Sequence, residues 1–180
     1  MNRRSIHLRY LVMSSLFAAL ILVATRFFQI PIPATGGYLH PGDALCLLAA
    51  WLLPLPYGMA AAATGTMLAD LLSGYAMYAI PTFLIRLVVV LAAKLIFRLL
   101  YRGTPSFKKT LLPCLASGFA GEFFMVMGYF FFSAVVRGGG LEAAVSIPGD
   151  SLQGAFGIVC ATMLFCPLAG RLLPRLQRLL

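Results

Sequence analysis

Acidic residues are scarce in this chain: five Asp and Glu stand against fourteen Lys and Arg in 180 residues, with only two histidines. No HExxH occurs, which removes the helical zinc-hydrolase pattern, and no GxxxxGK(S/T) occurs, which removes the phosphate-cradling loop of a nucleotide-driven machine. A transporter built on such a chain needs a partner or a gradient for its energy. Ser117-Gly118 has no histidine on a neighbouring span to activate it, which argues against an intramembrane serine protease. The four cysteines, Cys46, Cys114, Cys160 and Cys166, form no CxxC pair and have no histidine at ligand spacing. All fall in apolar runs, where Cys acts as a small hydrophobe. Neither a metal nor a cofactor is expected. Linkers, low-complexity stretches and internal repeats are absent, so residues 1–180 read as one domain.

What is present is apolar. Hydrophobic residues make up 61% of the chain, and mean hydropathy is +0.94. In a membrane this length allows about six helices of ~20 residues. A net charge of +9 raises nucleic-acid binding, but the basic residues flank apolar spans instead of forming one soluble face, so no nucleic-acid partner is expected. The N-terminus is basic and then apolar, like a signal peptide. Its apolar run is long for that role and no A-x-A-like site follows, so an uncleaved first span is expected. The fold class expected is an all-α, multi-pass membrane protein of six transmembrane helices.

Proline and glycine clusters divide the spans. Helices are expected at about Arg9–Phe28, Asp43–Leu53, Tyr57–Ser73, Pro81–Tyr101, Leu111–Val135 and Asp150–Leu172. IPIPATGGYLHPG reads as a loop, LPLP as a tight connection, and Pro81 as a first-turn proline. RGTPSFKK is a basic loop. With six spans, Arg3, Arg4, Arg9, Arg98, Arg102, Lys108, Lys109, Arg171, Arg175 and Arg178 share one side, which places both termini in the cytoplasm of a cell-membrane protein. Lys94, one turn before Arg98, can snorkel to that surface.

The few charges inside apolar segments carry the functional reading, because a charge at the bilayer centre costs at least about 2.5–3.5 kcal/mol. Arg26, Asp43, Asp70, Arg86, Glu122 and Asp150 are these. The outer ends of the helices and the outer loops bring Arg26, Tyr38, His40, Asp70, Tyr75, Tyr78, Arg86, Asp150 and Gln153 to one region, the composition of a small-molecule pocket; the loop tyrosines are either interface anchors or ligand contacts. Asp70 ends a stripe, Gly58, Ala62, Thr66, Asp70, whose small residues face protein; it either contacts ligand or pairs, with Arg86 a candidate. Glu122 shares a face with Gly118 deep in its span and is a ligand contact, a structural pair or a proton carrier. Asp43 and Asp150 precede apolar runs and suit N-caps. Ser14, Ser15, Ala18 and Ala19 give small-xxx-small spacing on the first helix, for internal packing or for docking a second membrane subunit.

LFAALILVATRFFQIPIP followed by GYLHPGDALCLLAAWLLPLPYGMAAAATGTMLADLLSGYAMYAIPTFLIR resembles the substrate-binding S components of energy-coupling factor (ECF) vitamin transporters over Leu16 to Arg86. That resemblance implies a capture subunit that binds a vitamin or precursor on the outer side, performs no chemistry, and joins a transmembrane T component and two cytoplasmic ATPases. The family's docking motif maps onto Ser14, Ser15, Ala18 and Ala19, with Ser where Ala is usual at the first position. The rival readings are a stand-alone proton-coupled carrier using Glu122 or Asp70, and a small intramembrane enzyme.

Overall fold

A computed structural model describes residues 3–32, 37–101 and 106–177, with side chains for 4–31, 38, 40–101 and 106–170. Part of the first loop (33–36), the head of the basic loop (102–105) and Arg178 lie outside the described residues. Six α-helices form: α1 (Arg3–Phe27), α2 (Gly42–Leu52), α3 (Leu55–Leu72), α4 (Ala76–Leu100), α5 (Phe107–Phe131) and α6 (Ile147–Gln177). Between α5 and α6 run a π-turn, Phe132–Val136, and a 3-10 helix, Gly140–Ser146.

The stretch after α1 departs from its expected loop. Ile30–Ile32 (β1) and Gly37–Leu39 (β2) pair antiparallel, with Ile30 opposite Leu39 and Pro31 opposite Tyr38. Proline normally disfavours a strand, but a two-stranded hairpin consists only of edges, where a missing N–H is tolerated. Pro81 is also placed differently: α4 starts at Ala76, so Pro81 lies in the second turn. The start is set by the end of α3, where Tyr75 N–H bonds Asp70 C=O at 2.9 Å and Gly74 N–H bonds Leu71 C=O at 3.4 Å. This Schellman closure needs the left-handed backbone of Gly74, φ +82°. It also fixes Tyr75 beside Asp70.

Asp43 and Asp150 do not cap. Pro41 occupies the N-cap of α2 and Asp43 sits one residue inside; Asp150 is the fourth residue of α6. Both acids still lie in first turns, where the helix dipole favours them. Lys94 does not snorkel. It is 6% exposed, and its Nζ donates to Trp51 C=O at 3.2 Å and Leu53 C=O at 2.8 Å, closing the C-terminus of α2.

Among the described residues, Arg4–Phe27, Phe107–Val136 and Gly140–Gly170 are long and apolar enough to cross a membrane. α2, at 11 residues, is only about 16 Å long and cannot cross alone. A belt of exposed Leu16, Leu20, Leu84, Phe119, Phe123, Phe156 and Met163 suits lipid. Inside, Trp51, Phe97 and Phe165 stack around Cys46, Cys114 and Cys166. Trp51 Nε1 donates to Ser117 Oγ at 3.0 Å, which gives Ser117 a structural task. The stripe on α3 is buried as expected. A Cβ on Gly58 would meet Ala49 O at 2.9 Å, and one on Gly65 would meet Ala18 O at 2.7 Å, so α3 lies against α2 and α1 at backbone distance.

Candidate functional site

The helices run alternately up and down, so the ends of α1, α3 and α5 meet the starts of α4 and α6 at the end of the bundle away from both termini. Because α2 is short, its N-terminus begins partway down, and the hairpin fills the space above it. A cavity lies between them. Tyr38 and His40 come from the hairpin, Thr25 from α1, Thr66 and Asp70 from α3, Tyr75, Tyr78 and Thr82 from the turn and start of α4, Tyr129 from α5, Ser133 and Ser146 from the α5–α6 connection, and Asp150 and Gln153 from α6.

A chain of hydrogen bonds ties the roof to the floor. Tyr38 Oη donates to Asp70 Oδ1 at 2.5 Å. His40 N–H donates to Gln153 Oε1 at 2.9 Å, and Gln153 Nε2 donates to Asp43 Oδ2 at 2.8 Å. Gly42 N–H donates to His40 Nδ1 at 3.1 Å. The ring nitrogen that accepts must carry no proton, which makes Nε2 the N–H of a neutral imidazole. Burial lowers His40 to about 4; the Asp43 charge opposes this shift and the Arg86 charge adds to it. Burial and the adjacent Asp70 carboxylate push the Tyr38 phenol well above its ordinary value, so it remains a donor. One wall is aromatic: Tyr38 and Tyr75 centroids are 4.8 Å apart, and Tyr75 and Tyr78 are 6.4 Å apart. At the rim, Arg137 Nη1 donates to Tyr78 Oη at 2.5 Å.

Tyr38, His40, Asp70, Tyr75, Tyr78 and Gln153 therefore meet around one cavity, whereas Arg86 and Glu122 do not line it. They lie beneath the floor. The expected Asp70–Arg86 pair is replaced: Arg86 Nη2 bonds Asp43 Oδ1 at 2.5 Å, and both side chains are 0% exposed. The depth of Arg86 explains this. It is eleven residues into α4, roughly 15 Å below that helix's start, level with the lowered N-terminus of α2 and below the end of α3. Glu122 faces this same pair, interacting with both Asp43 and Arg86, and neither of its oxygens has a hydrogen-bond partner. Two glycines on α6 make the space: a Cβ at Gly154 would lie 2.9 Å from Glu122 Cβ, and one at Gly157 would lie 2.9 Å from Asp43 Cβ.

Sequence reasoning missed Asp43 as the partner of Arg86 beneath the cavity, and Thr82, Tyr129 and Ser133 as wall residues. Only position along the spans could have flagged them, since each lies about as far from its helix's outer end as the other candidates. The small-residue quartet on α1 divides. Ser14 is 6% exposed and its Oγ donates to Tyr57 C=O at 2.8 Å; Ala18 packs on Gly65. Ser15 and Ala19 face outward, with the Ser15 hydroxyl satisfied by Leu11 C=O at 3.0 Å.

Comparison with known proteins places this geometry in context. The model of the family "ECF-type riboflavin transporter, S component" matches residues 5–170. A Pyrococcus woesei protein, "uncharacterized protein in gap 3′ region", is 32% identical over 139 residues, 77% of this chain and 87% of that one. A solved structure, "Structure and mechanism of the S component of a bacterial ECF transporter", superposes with a TM-score of 0.68 at 20% identity, covering 91% of this chain and 96% of the other. At that identity the likeness is one of fold.

Proposed function

Since this chain belongs to the ECF-type riboflavin transporter S component family, a family of membrane transporter subunits and not of enzymes, we propose that it captures a vitamin-like small molecule in the cavity beneath the hairpin and delivers it through a complex with a transmembrane T component and two ATPases. The observation that supports this most is the cavity itself: roofed, walled by tyrosines, furnished with a few fixed polar groups, and set at the end of the bundle opposite both termini. Lys and Arg concentrate toward the terminal end, which is therefore assigned to the cytoplasm, and the cavity to the outer face. Six passes result if the hairpin and α2 together complete the second traverse.

Docking is assigned to the outward half of the α1 quartet. Ser15 and Ala19 sit one turn apart among exposed Leu11, Val12, Leu16 and Leu20, offering close backbone approach to a second membrane helix. Ser14 and Ala18 are occupied by α3.

The test is purification without the ATPases, followed by mass spectrometry of whatever small molecule co-purifies and by uptake in cells with and without the T component and ATPases. Tight binding by the isolated subunit, with uptake only in the complete assembly, is expected. Uptake by the isolated chain that a protonophore abolishes would replace this reading with a proton-coupled carrier.

A further inference from the structure

Four of the five acidic residues in the chain, Asp43, Asp70, Glu122 and Asp150, gather at or just below the cavity. One buried cation, Arg86, stands among them, and Asp43 holds it. No Lys or Arg lines the cavity among the described residues. Arg137 is exposed at the rim, where it rests 5.5 Å over the Tyr78 ring and bonds its hydroxyl, and Arg26 is exposed in the last turn of α1, next to the cavity-lining Thr25. Of the helix N-termini at the cavity, those of α2 and α6 already carry an aspartate in the first turn, and that of α4, beside Tyr75 and Tyr78, carries none. A protein with a net charge of +9 thus gathers four of its five acidic side chains around its pocket, with one buried cation among them.

Two of these carboxylates are presented to the cavity with an oxygen free. Asp70 is 5% exposed; its Oδ1 is taken by Tyr38, and its buried Oδ2 has no partner. Asp150 likewise has a buried Oδ2 without a partner. A buried carboxylate oxygen without a donor is costly, so an occupant that supplies a charged donor gains most. Beside Asp70 stand Tyr38, Tyr75 and Tyr78, whose ring faces attract a cation. Aromatic faces and unpartnered carboxylates converge on one volume, and both favour the same sign of charge.

We propose that the ligand is a ring compound bearing a positive charge, an alkylated or protonated nitrogen, seated on the Tyr38–Tyr75–Tyr78 wall and paired with Asp70, with Asp150 on its other side. A phosphorylated or carboxylated form of the same compound is rejected, because it finds like charge and no cation inside. The assignment rests on the capture function proposed above and narrows its substrate class.

The test uses the full chain in detergent, titrated calorimetrically with benzyltrimethylammonium and thiamine as ring cations, riboflavin as a neutral ring and riboflavin 5′-phosphate as an anion. At least one cation should bind about tenfold or more tighter than the neutral and anionic rings. Asp70→Asn should weaken that cation by about tenfold or more, as expected for removal of a charged hydrogen-bond partner, and leave the affinity for neutral rings within about twofold. Asp150→Asn, at a more open position, should give a smaller loss of the same sign and serves if Asp70→Asn does not fold. Tighter binding of riboflavin or its phosphate than of both cations overturns the proposal. So does an unchanged cation affinity in both folded variants, or no cation binding at millimolar concentration. A neutral co-purified ligand that the complete transporter takes up would overturn the charge assignment and leave capture standing. No co-purified ligand and no uptake by the complete transporter would overturn capture itself.

Discussion

The floor of the cavity holds two carboxyl groups and one guanidinium, and that imbalance makes an unusual pattern of mutational effects. Removing the guanidinium with Arg86→Met strands Asp43 and Glu122, both buried, with no cation. Breaking a fully buried pair from one side costs about 3–5 kcal/mol. For a chain of this size, that is a fall in melting temperature of roughly 6–20 °C. Asp43→Asn should cost far less, about 1–2 kcal/mol, because Glu122 faces the same guanidinium and replaces the lost charge, while the new amide still offers an oxygen to Gln153. Glu122→Gln should be close to neutral, since Arg86 keeps Asp43 at 2.5 Å. The double variant Asp43→Asn/Glu122→Gln leaves Arg86 alone and should fall by about 3–5 kcal/mol, more than the single losses combined. The coupling is then about 1–4 kcal/mol, outside the ~0.5 kcal/mol scatter of independent sites. Thermal unfolding in detergent, followed by intrinsic fluorescence of Trp51 in the core, measures all four variants under one condition. Additive losses would refute the shared-cation arrangement, and a fully stable Arg86→Met would refute the importance of the floor.

Ala19→Trp should abolish uptake in the complete transporter while the isolated subunit keeps its ligand affinity, whereas Ala18→Trp should lower expression and stability, because Ala18 lies against Gly65; paired uptake and titration assays separate the two. Gly157→Ala places a Cβ 2.9 Å from Asp43 Cβ and 3.3 Å from Ala44 N, so α6 must shift, and a loss of about 1–3 kcal/mol is expected in thermal unfolding. His40 is held near 4 in the folded chain against about 6.5 when unfolded. Its contribution to stability is thus complete above about pH 6.5 and is lost progressively as pH falls toward 4. The melting-temperature gap between the native protein and His40→Gln, which cannot titrate, should narrow between pH 7.5 and 4.5, and a constant gap would contradict this.

Much of the architecture is readable from one physical signal, the spacing of apolar runs between proline and glycine clusters. That signal locates six helices, with ends displaced by up to six residues, and the i, i+4 rule correctly buries Gly58, Ala62, Thr66 and Asp70. It also identifies the outer-end tyrosines that meet around the cavity. What it does not provide is depth. Helix periodicity says which way a side chain points, but not at which level it meets its neighbour. It therefore offers Asp70, near in sequence order, as the partner of Arg86, and passes over Asp43, which reaches that level only because α2 is short. The hairpin escapes for a related reason: Pro31 and Gly37 have the local preferences of a loop, and only their pairing across the chain makes them strands. On α1, small-residue spacing alone does not tell the face that meets α3 from the face left open.

The shortness of α2 also bears on how the molecule is made. Chain emerges from the ribosome in order, so Asp43 reaches the membrane before Arg86 exists to receive it. An 11-residue helix that opens on a carboxylate has little tendency to enter lipid by itself. α2 is therefore expected to settle only once α3 and α4 are in place and Asp43 can meet its guanidinium. On this expectation, insertion of the segment is a step in tertiary assembly, and the contact beneath the cavity is the one that marks its completion.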